Sequence, residues 1–585
     1  MINEIIANIL RNIGIYLEME NIPFKPRAYE KVAEFIKGMD EQLSSVYKNG
    51  GLKALIDLPA IGVSIAKHIE ELLKTGHLKY YAQLKRKIPV NLNELNNIEG
   101  LGPQSIKTLY KELKIRNLVD LKKAAMAGKI RKLTGFGERS EENILKSIEF
   151  FEKSADRFIL GFAMPEIRKI ESQLNSLNGV KKAIIAGSVR RRKETVRDID
   201  ILVISDKPAV VMDYFVSMPE VARVYSHGGT KSAVKLKNGL DADIRVVPLE
   251  SYGAALNYFT GSKDHNVELR KIAIKKGYKL NEYGLFSSGG GSASGGKGKW
   301  KQIAGRTEEE LYKALGLRYI EPELREMRGE IEASKLGKLS ELIGYGDLKG
   351  DLHTHSNWTD GVNSIEEMAI AAIKSGLQYI VIMDHTKRLA MTNGLDETRI
   401  KKQWQEIDKN NKGFRVKGLG FRVLKGTECD ILKDGSMDLP DNILAKCDIV
   451  GGSVHSLFNL SKKDQTERIK KAMNNPHVDI IFHPTGRLIN KRDAYDIDME
   501  EIIKHAKKTN TILEINSFPD RLDLKDENVR KCVGAGVKMT VDSDGHSIEH
   551  FKYLEYGIAQ ARRGWAEKKD IINAWPLEKM LNLLK

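Results

Sequence analysis

The stretch AGSVRRRKETVRDID, residues 186–200, carries the densest chemical pattern in this chain of 585 residues. The run AIIAGS (183–188) predicts a strand that ends in a Gly-Ser turn, and DIDILVI (198–204) predicts the next strand. Because alternate residues of a strand point to the same face, Asp198 and Asp200 present their carboxylates together. Such a pair is costly unless cations neutralise it, and Mg²⁺-like ions prefer oxygen ligands. A metal site is therefore favoured over an ordinary surface strand.

Two further strand candidates follow, SAVKLK (232–237) and ADIRVV (242–247), and the second could bring Asp243 alongside the first two aspartates. Two metal ions bridged by aspartates stabilise both the attacking and the leaving oxygen of an in-line phosphoryl displacement. The Gly187-Ser188 turn, which opens a helix, offers a tight anion-binding corner, and three consecutive arginines follow it. The pattern predicts a phosphoryl-transfer site.

Upstream, one layout occurs three times: LPAIGVSIAKHIEELL (58–73), IEGLGPQSIKTLYKEL (98–113) and LTGFGERSEENILKSI (133–148). Each has an apolar residue, a glycine turn and a polar helix start, so backbone N–H groups can meet an anionic oxygen. One copy would be an ordinary turn between helices, whereas three copies resemble the helix-hairpin-helix motif, which holds DNA phosphates without reading sequence. Ala60 replaces the first glycine of the first copy, so weaker binding is expected there. The predicted DNA-contacting residues are Gly62, Gly100, Gly102, Gly135 and Gly137.

The charge is uneven along the chain. Residues 1–350 contain 58 Lys and Arg against 44 Asp and Glu, whereas residues 351–585 contain 37 against 35. A basic N-terminal portion suits a polyanion through neutralisation of phosphates, although Lys-rich helix faces could equally serve solubility. The length exceeds what one hydrophobic core supports and predicts about three to five domains.

Several protein classes are excluded by composition. No stretch approaches the roughly 18 apolar residues of a membrane span, and the N-terminus lacks the pattern of a signal peptide. Three cysteines, Cys429, Cys447 and Cys532, cannot build a disulfide framework. We therefore expect a cytoplasmic, monomeric protein rather than a secreted, membrane-bound or disulfide-stapled one.

After residue 350 the pattern becomes strand, loop and helix, repeated, and nine of the 13 histidines lie there. Alternating strands and helices predict a parallel barrel whose reactive groups gather at the carboxyl ends of the strands. Imidazole and carboxylate are ligands of first-row transition metals. Six of seven predicted strand ends carry such groups, which predicts a metal centre. These groups are His353, His355, Asp360, His385, Glu428, His455, His483, Asp544 and His546.

The arrangement GS…R…DID with DIR resembles the palm of the nucleotidyltransferase superfamily, and ALNYFTGSKDHNVELR (255–270) with GYKLNEYGLF (277–286) resembles the thumb of family X DNA polymerases. The resemblance implies that Asp198, Asp200 and Asp243 bind two Mg²⁺ or Mn²⁺ ions, with Asp243 assisting attack by a primer 3′-OH. It further implies three sets of substrate contacts: Gly187, Ser188 and Arg191 to the triphosphate, Tyr258, Phe259 and Gly261 to the sugar, and Asn266 and Arg270 to the nascent pair and template.

One position departs from that family. Members with 5′-deoxyribose-phosphate lyase activity use a lysine as Schiff-base nucleophile on the helix of the first hairpin. His68 stands at the matching position, Lys67 would project about 100° away around the helix, and Ser64 replaces a basic residue. Lyase activity by that route is not expected.

The histidine-rich region resembles the PHP domain over about 350–570, through its HxH, DH, GTE, SVH, HP and DSDxH motifs in order. The resemblance implies up to three Mn²⁺ or Zn²⁺ ions that activate water against a phosphodiester. It implies Asn516 and Arg487 as phosphate contacts. The implied ligand sets are His353, His355, Glu428 and Asp544 for one ion, Glu428, His455 and His483 for a second, and Asp360, His385 and His546 for a third.

Together these features predict a multidomain α+β and α/β protein: a helix-hairpin-helix region, a nucleotidyltransferase palm, a small α/β thumb and a distorted (βα)7-type PHP barrel. The expected activity is gap filling in base excision repair from gapped or primer-template DNA and dNTP, with a 3′–5′ exonuclease and an abasic-site endonuclease or 3′-phosphoesterase in the barrel. The alternatives are a fused small-molecule phosphatase, or a scaffold that binds DNA ends. The Gly/Ser-rich stretch 287–299 is expected to be the tip of a hairpin. The predicted domains are 1–85, 86–155, 156–250, 251–317, a linker at 318–349, and 350–585.

Overall fold

The structure is a computed structural model that describes residues 3–39, 41–98, 100–154, 157–288 and 300–584. Amphipathic helices form the whole N-terminal region. In the first of them Ile6, Leu10, Ile13 and Leu17 recur at helical spacing and are all buried, which gives the region its core. The helices are α1 Asn3–Met19, α2 Lys25–Gly38, α3 Leu43–Ile56, α4 Val63–Thr75, α5 Lys79–Lys87, α6 Leu92–Leu95, α7 Pro103–Leu113, α8 Leu118–Met126 and α9 Glu138–Ser154.

A mixed sheet follows, and the four strands predicted there are observed. Its elements are β1 Phe158–Ile159, α10 Leu160–Asn175, β2 Val180–Ile185, α11 Gly187–Arg190, β3 Thr195–Val196, β4 Asp198–Ser205, α12 Pro208–Ser217, β5 Val221–His227, β6 Lys231–Leu236 and β7 Asp241–Val247. The strand order of the main sheet is β2-β4-β7-β6-β5, and only the β4–β7 pair within it is parallel. That parallel pair brings the aspartate-bearing ends of β4 and β7 to the same edge.

A small α/β region comes next. It comprises α13 Tyr252–Thr260, α14 Lys263–Lys275, β8 Tyr278–Asn281, β9 Gly284–Ser287, β10 Lys301–Ala304 and α15 Glu308–Ala314. Strands β9 and β10 pair antiparallel, so they form the hairpin expected on either side of the Gly/Ser-rich stretch, most of which lies outside the described residues.

The segment predicted as a linker, 318–349, is packed rather than loose. It contains α16 Glu330–Lys335 and a 3₁₀ turn at Pro322–Leu324. The guanidinium of Arg325 is fully buried against Glu308 of α15, with Nη1 at 2.5 Å from Oε1. A buried charge needs a close partner, so this contact fixes the segment to the small α/β region.

Seven parallel strands form the C-terminal region, and their residues are almost all buried, as is usual where helices cover a parallel sheet. The strands are β11 Gly350–Thr354, β12 Tyr379–Ile382, β13 Arg422–Asp430, β14 Ile449–Ser453, β15 Ile480–Ile481, β16 Ile512–Asn516 and β17 Met539–Asp542. The helices are α17 Ile365–Lys374, α18 Glu397–Val416, α19 Asp441–Leu444, α20 Lys462–Met473, α21 Met499–Thr509, α22 Asp526–Ala535, α23 Leu554–Arg563 and α24 Leu577–Leu581.

The first and last strands nearly close this sheet into a barrel. Gly545 N–H donates to the carbonyl of His353 at 3.1 Å, and His355 N–H donates to the carbonyl of Gly545 at 2.8 Å. The closure gathers the carboxyl ends of all seven strands into one ring, as the sequence predicted. Within the described ranges no helix is long and apolar enough to cross a lipid bilayer.

Candidate active sites

The three aspartates of the mixed sheet lie together. In the parallel register of β4 and β7, Asp200 is paired with Asp243, and Asp198 lies two residues earlier on the same face as Asp200. Burial, together with the neighbouring charges of Asp198 and Asp243, raises the pKa of Asp200 to about 6 against the opposing effect of Arg191 and Lys231. Lys231 Nζ lies 3.6 Å from Asp243 Oδ1. The cluster is therefore an anionic site that divalent cations would relieve.

Gly187 is required at the turn after β2. It has φ of +61°, and a Cβ there would lie 2.2 Å from Asp200 Oδ2. A side chain would displace the carboxylate, so glycine lets this turn approach the aspartate-bearing strand β4.

A cavity of about 350 Å³ opens beside the aspartates. Its lining includes all of the predicted substrate-contacting residues together with Lys263, which the sequence analysis did not single out. A second cavity of about 130 Å³, lined in part by Asp243, adjoins it at Asp200 and Phe259. The lining of the larger one is Gly187, Ser188, Arg191, Asp198, Asp200, Tyr258, Phe259, Gly261, Lys263, Asn266 and Arg270.

The three consecutive arginines have different partners. Arg191 lines the cavity, whereas Arg190 turns away to Glu308, with Nη2 at 2.6 Å from Oε2. Arg192 lies 3.6 Å from Glu555 of the barrel. Only one of the three therefore faces the candidate substrate site. Asn266 donates to the carbonyl of Tyr258 at 2.7 Å, which holds the aromatic turn in place.

The barrel gathers its predicted ligands around Glu428. One carboxylate oxygen lies 2.7 Å from His385 Nδ1, 3.5 Å from His353 Nε2 and 3.6 Å from His355 Nε2. The other lies 2.9 Å from His483 Nε2 and 3.1 Å from His455 Nε2. Five strand-end imidazoles thus meet at one carboxylate, an arrangement suited to a bridging ligand.

The grouping of these ligands differs in detail from the sets expected. Of the ligands expected for the first ion, His353, His355 and Asp544 lie close together. The group expected for the third ion, Asp360, His385 and His546, also includes His355. His385 belongs to that third group and also to a group with Glu428 and His455, so it lies between two candidate ions. Sequence order cannot show this, since it does not reveal which strand ends are neighbours across the ring.

The donor set fits divalent metal ions. Among the described residues, several buried ligand atoms make no hydrogen bond, including His353 Nε2, His355 Nε2 and Glu428 Oε2. Burial would raise the pKa of Glu428, but His385, His455 and His353 hold it well below its usual range. Asp360 and Asp544 raise the pKa of His546 to about 9 against the effect of burial. Without metal ions the carboxylates thus depend on protons carried by the imidazoles, and bound metal ions would take the place of those protons.

Two supporting residues were missed by the sequence analysis. Glu514, on β16, lies 2.7 Å from His353 Nδ1, and orienting carboxylates of this kind typically surround metal-bound histidines. Arg521 Nε lies 3.4 Å from Asp544 Oδ2 and is a cation at the centre's edge. The stretch TILEINS (511–517) predicts a strand with a single acidic residue, and that residue was the available signal for Glu514.

Of the two expected phosphate contacts, neither lies free at the barrel mouth. Asn516 Nδ2 donates to Asp544 Oδ2 at 3.1 Å and so supports a ligand. Arg487 is paired instead with Glu194 of the mixed sheet, with Nη2 at 2.9 Å from Oε2. The assignment of Arg487 is therefore corrected to an inter-domain contact.

The three hairpins share backbone geometry. Ala60 has φ of +62°, matching Gly100 at +83° and Gly135 at +85°, so alanine occupies a position that favours glycine. At Gly62 and Gly102 an added Cβ would meet no atom within 4 Å among the described residues. That open approach to each helix start is what a phosphate would need. The remaining predicted contact, Gly137, has the same open space.

The imidazole of His68 contacts two tyrosines, Tyr29 and Tyr80. Its Nδ1 is hydrogen-bonded to the hydroxyl of Tyr29 at 2.9 Å, and its ring stacks on Tyr80 with centroids 5.1 Å apart. Burial lowers the pKa of His68. A packed, neutral imidazole fits a structural or stacking position and offers no amine for a Schiff base.

The helical region contacts the rim of the barrel site. Lys31 of α2 donates to the carbonyl of Gly361, next to Asp360, at 3.1 Å. Arg139, two residues after Gly137, donates to the carbonyl of Asn459 at 2.9 Å. The third hairpin therefore lies beside a loop that follows the strand end bearing His455.

Comparison with known proteins adds three family matches. A DNA polymerase beta thumb model matches residues 255–326, a helix-hairpin-helix domain model matches 1–78, and a PHP domain model matches 351–518. These matches confirm the corresponding predictions from sequence.

Similar curated proteins span both halves of the chain. The DNA polymerase/3′-5′ exonuclease PolX of Bacillus subtilis (strain 168) is 39% identical over 583 residues, 99% of each chain. A probable phosphatase of Thermoanaerobacter sp. (strain X514) is 34% identical over 207 residues, 34% of this chain and 78% of that one. DNA polymerase lambda of Rattus norvegicus is 24% identical over 319 residues, 51% of this chain and 52% of that one.

Proposed function

Since the chain belongs to the family X DNA polymerases that carry a C-terminal PHP domain, we propose that it fills short gaps in DNA during base excision repair and trims 3′ ends in its barrel. It is a DNA-directed DNA polymerase with a 3′–5′ exonuclease. The observation that carries the assignment of the first site is the pairing of Asp200 with Asp243 beside a cavity lined by Ser188 and Arg191.

In the polymerase site each residue has a distinct part. Bound Mg²⁺ or Mn²⁺, two ions in number, would supply charge stabilisation for the attacking and leaving oxygens. Asp198, Asp200 and Asp243 would hold those ions, and Asp243 is the carboxylate suited to accept the proton of the primer 3′-OH. The Gly187 backbone, Ser188 and Arg191 bind the triphosphate. Tyr258, Phe259 and Gly261 form the sugar wall, where crowding disfavours a 2′-OH, while Asn266 and Arg270 contact the nascent pair and template.

In the barrel the nine predicted ligands would hold up to three Mn²⁺ or Zn²⁺ ions, which would make hydroxide available at neutral pH. Glu428 would be one of the residues that hold the ions, and Glu514 fixes the ring of His353 for ligation. The same centre suits cleavage at abasic sites and removal of 3′-phosphoesters, because both reactions hydrolyse a phosphate ester of DNA, the first within the strand and the second at its 3′ end.

The domain assignment proposed with this function keeps the ranges 1–85 and 86–155 for gapped-DNA binding, 156–250 for the palm, 251–317 for the thumb and 350–585 for the barrel. The three cysteines are free, which suits a reducing cytoplasm. We expect the enzyme to act as a monomer on gapped or primer-template DNA with dNTP.

The decisive experiment incubates the full chain with gapped DNA, dNTPs and Mn²⁺ and follows the primer strand. Products both longer and shorter than the primer are expected, and dNTP omission should leave only the shorter ones. Absence of longer products would refute the polymerase assignment, and absence of shorter ones would refute the exonuclease assignment.

A second activity of the barrel is favoured by its similarity to the probable phosphatase. A small phosphomonoester such as p-nitrophenyl phosphate distinguishes the two. Faster turnover of that compound than of 3′-ended DNA would make the barrel a small-molecule phosphatase.

A further inference from the structure

The guanidinium of Arg191 is anchored at two of its three nitrogens. Nε donates to Glu326 Oε1 at 3.1 Å, and Nη1 donates to the carbonyl of Thr260. A Cβ at Gly261 would lie 3.0 Å from Nη1, so glycine leaves room for this contact. Within the described part of the chain Nη2 makes no hydrogen bond, and the side chain lines the cavity. One nitrogen therefore remains for a ligand.

Glu326, which anchors Arg191, is itself held by the barrel domain. Arg563, at the end of α23, contacts Glu326 Oε1 through Nη1 at 3.1 Å. The same Nη1 donates to the backbone carbonyl of Arg191 at 2.7 Å. Asp526 of α22 holds the other side of the Arg563 guanidinium, whose Nη2 lies 2.8 Å from Asp526 Oδ2. Arg563 thus touches Arg191 directly and through Glu326.

These charges are largely removed from water. The side chains of Arg191, Glu326 and Arg563 are 13%, 12% and 3% exposed. Burial would raise the pKa of Glu326, but Arg563, Arg191 and Lys193 hold it below its usual value. Ion pairs in such a setting are strong and directional, so they restrict the rotamers of the side chains they join.

We infer that Glu326 and Arg563 are positioning residues of the polymerase site, through which the barrel domain holds Arg191 in the orientation that meets the triphosphate. The inference rests on the proposed function, in which Arg191 contacts that group. Donors fixed before binding cost nothing to orient when the nucleotide arrives, so losing the anchor weakens dNTP binding more than it slows the chemical step.

The test measures single-nucleotide insertion into gapped DNA by Arg191→Ala, Glu326→Gln, Arg563→Ala and Arg563→Lys. Glu326→Gln and Arg563→Ala should raise KM for dNTP about ten-fold and change kcat less, with Arg563→Lys intermediate. The double variant Arg191→Ala/Arg563→Ala should show no rise beyond that of Arg191→Ala alone.

Arg562→Ala is the matched control. It removes a neighbouring buried ion pair on the same helix, to Glu323 at 2.8 Å, and should leave KM for dNTP unchanged. Exonuclease activity should persist in every variant, which checks that the barrel is folded. Glu326→Gln preserves shape and keeps the test decisive if Arg563→Ala is unstable.

The outcomes distinguish the triphosphate role of Arg191 from the positioning role of Glu326 and Arg563. A wild-type KM in Arg191→Ala would overturn the triphosphate role of Arg191 in the proposed function. A raised KM in Arg191→Ala with wild-type values in Glu326→Gln and Arg563→Ala would overturn the positioning inference alone. An equal rise in Arg562→Ala, or additive effects in the double variant, would overturn it as well.

Discussion

Asp200 of β4 lies opposite Asp243 of β7 in the register of the one parallel strand pair in the palm sheet. Asp198, two residues before Asp200, adds a third carboxylate. Gly187 packs directly against the carboxylate of Asp200. Like charges held this closely destabilise the metal-free protein, because burial removes Asp200 from water and Asp198 and Asp243 repel its charge. The relationship makes metal binding and stability of the palm interdependent.

The first prediction concerns Asp200→Asn. Since the folded-state pKa of Asp200 is about 6, above its usual value of 3.8, its ionisation costs no stability below about pH 3.8, an increasing amount between about pH 3.8 and 6, and the full amount above that. In EDTA at pH 8 the variant should be more stable than wild type by about 1–2 kcal/mol, with the difference shrinking as pH falls through 6. Thermal unfolding across pH measures this.

Mg²⁺ should reverse the order, raising the melting temperature of the wild type but not that of Asp200→Asn. Asp206→Asn is the control, because Asp206 is exposed and paired with Lys181 at 2.7 Å. A variant destabilised in EDTA at pH 8 would contradict the prediction.

The two active sites should separate by mutation. Asp198→Ala with Asp200→Ala should reduce primer extension by at least about a hundred-fold and leave 3′ trimming intact. His353→Ala or Glu428→Ala should do the opposite. Denaturing gels of a labelled primer on gapped DNA report both activities. Extension that survives loss of both aspartates, or trimming unchanged in Glu428→Ala, would refute the respective assignment.

Glu514→Gln tests the supporting shell of the barrel. The amide keeps the size of the side chain but loses the charge that faces His353 Nδ1 at 2.7 Å. Metal affinity should fall about 10- to 100-fold, with exonuclease activity recovered at higher Mn²⁺ concentration. Metal titration followed by activity provides the measurement, and Glu501→Gln, half-exposed on α21, is the control. Affinity equal to that of the wild type would remove Glu514 from the site.

The second hairpin offers a pair of matched glycines. Gly102→Ala, at φ of −75° with open space around it, should keep stability but weaken binding of gapped DNA several-fold by keeping a phosphate away from the helix start. Gly100→Ala, at φ of +83°, should cost about 1–2 kcal/mol of folding stability. Fluorescence anisotropy and thermal unfolding distinguish the two effects.

Wild-type binding in that assay should weaken steeply with salt, because Lys and Arg neutralise phosphates and release counterions. A flat salt response, or full affinity in Gly102→Ala, would argue against a phosphate-binding role for the hairpins.

The sequence alone determined much of the fold and many of the site residues, because its strongest patterns involve residues that are close together along the chain. The two-residue period of a strand put Asp198 and Asp200 on one face, and the repeated strand and helix pattern predicted a barrel with His353, His385 and Glu428 at strand ends. Glycine turns before helix starts likewise depend only on neighbours along the chain.

Tertiary structure decided which of these groups meet. That His385 lies between two groups of ligands, and that Arg487 pairs with Glu194 rather than facing the barrel mouth, depends on packing between distant segments. The same holds for Arg563 and Glu326, which are 237 residues apart and belong to the barrel and to the segment 318–349, respectively. A contact of that kind is fixed by the relative placement of whole domains, for which no local period or spacing carries a signal.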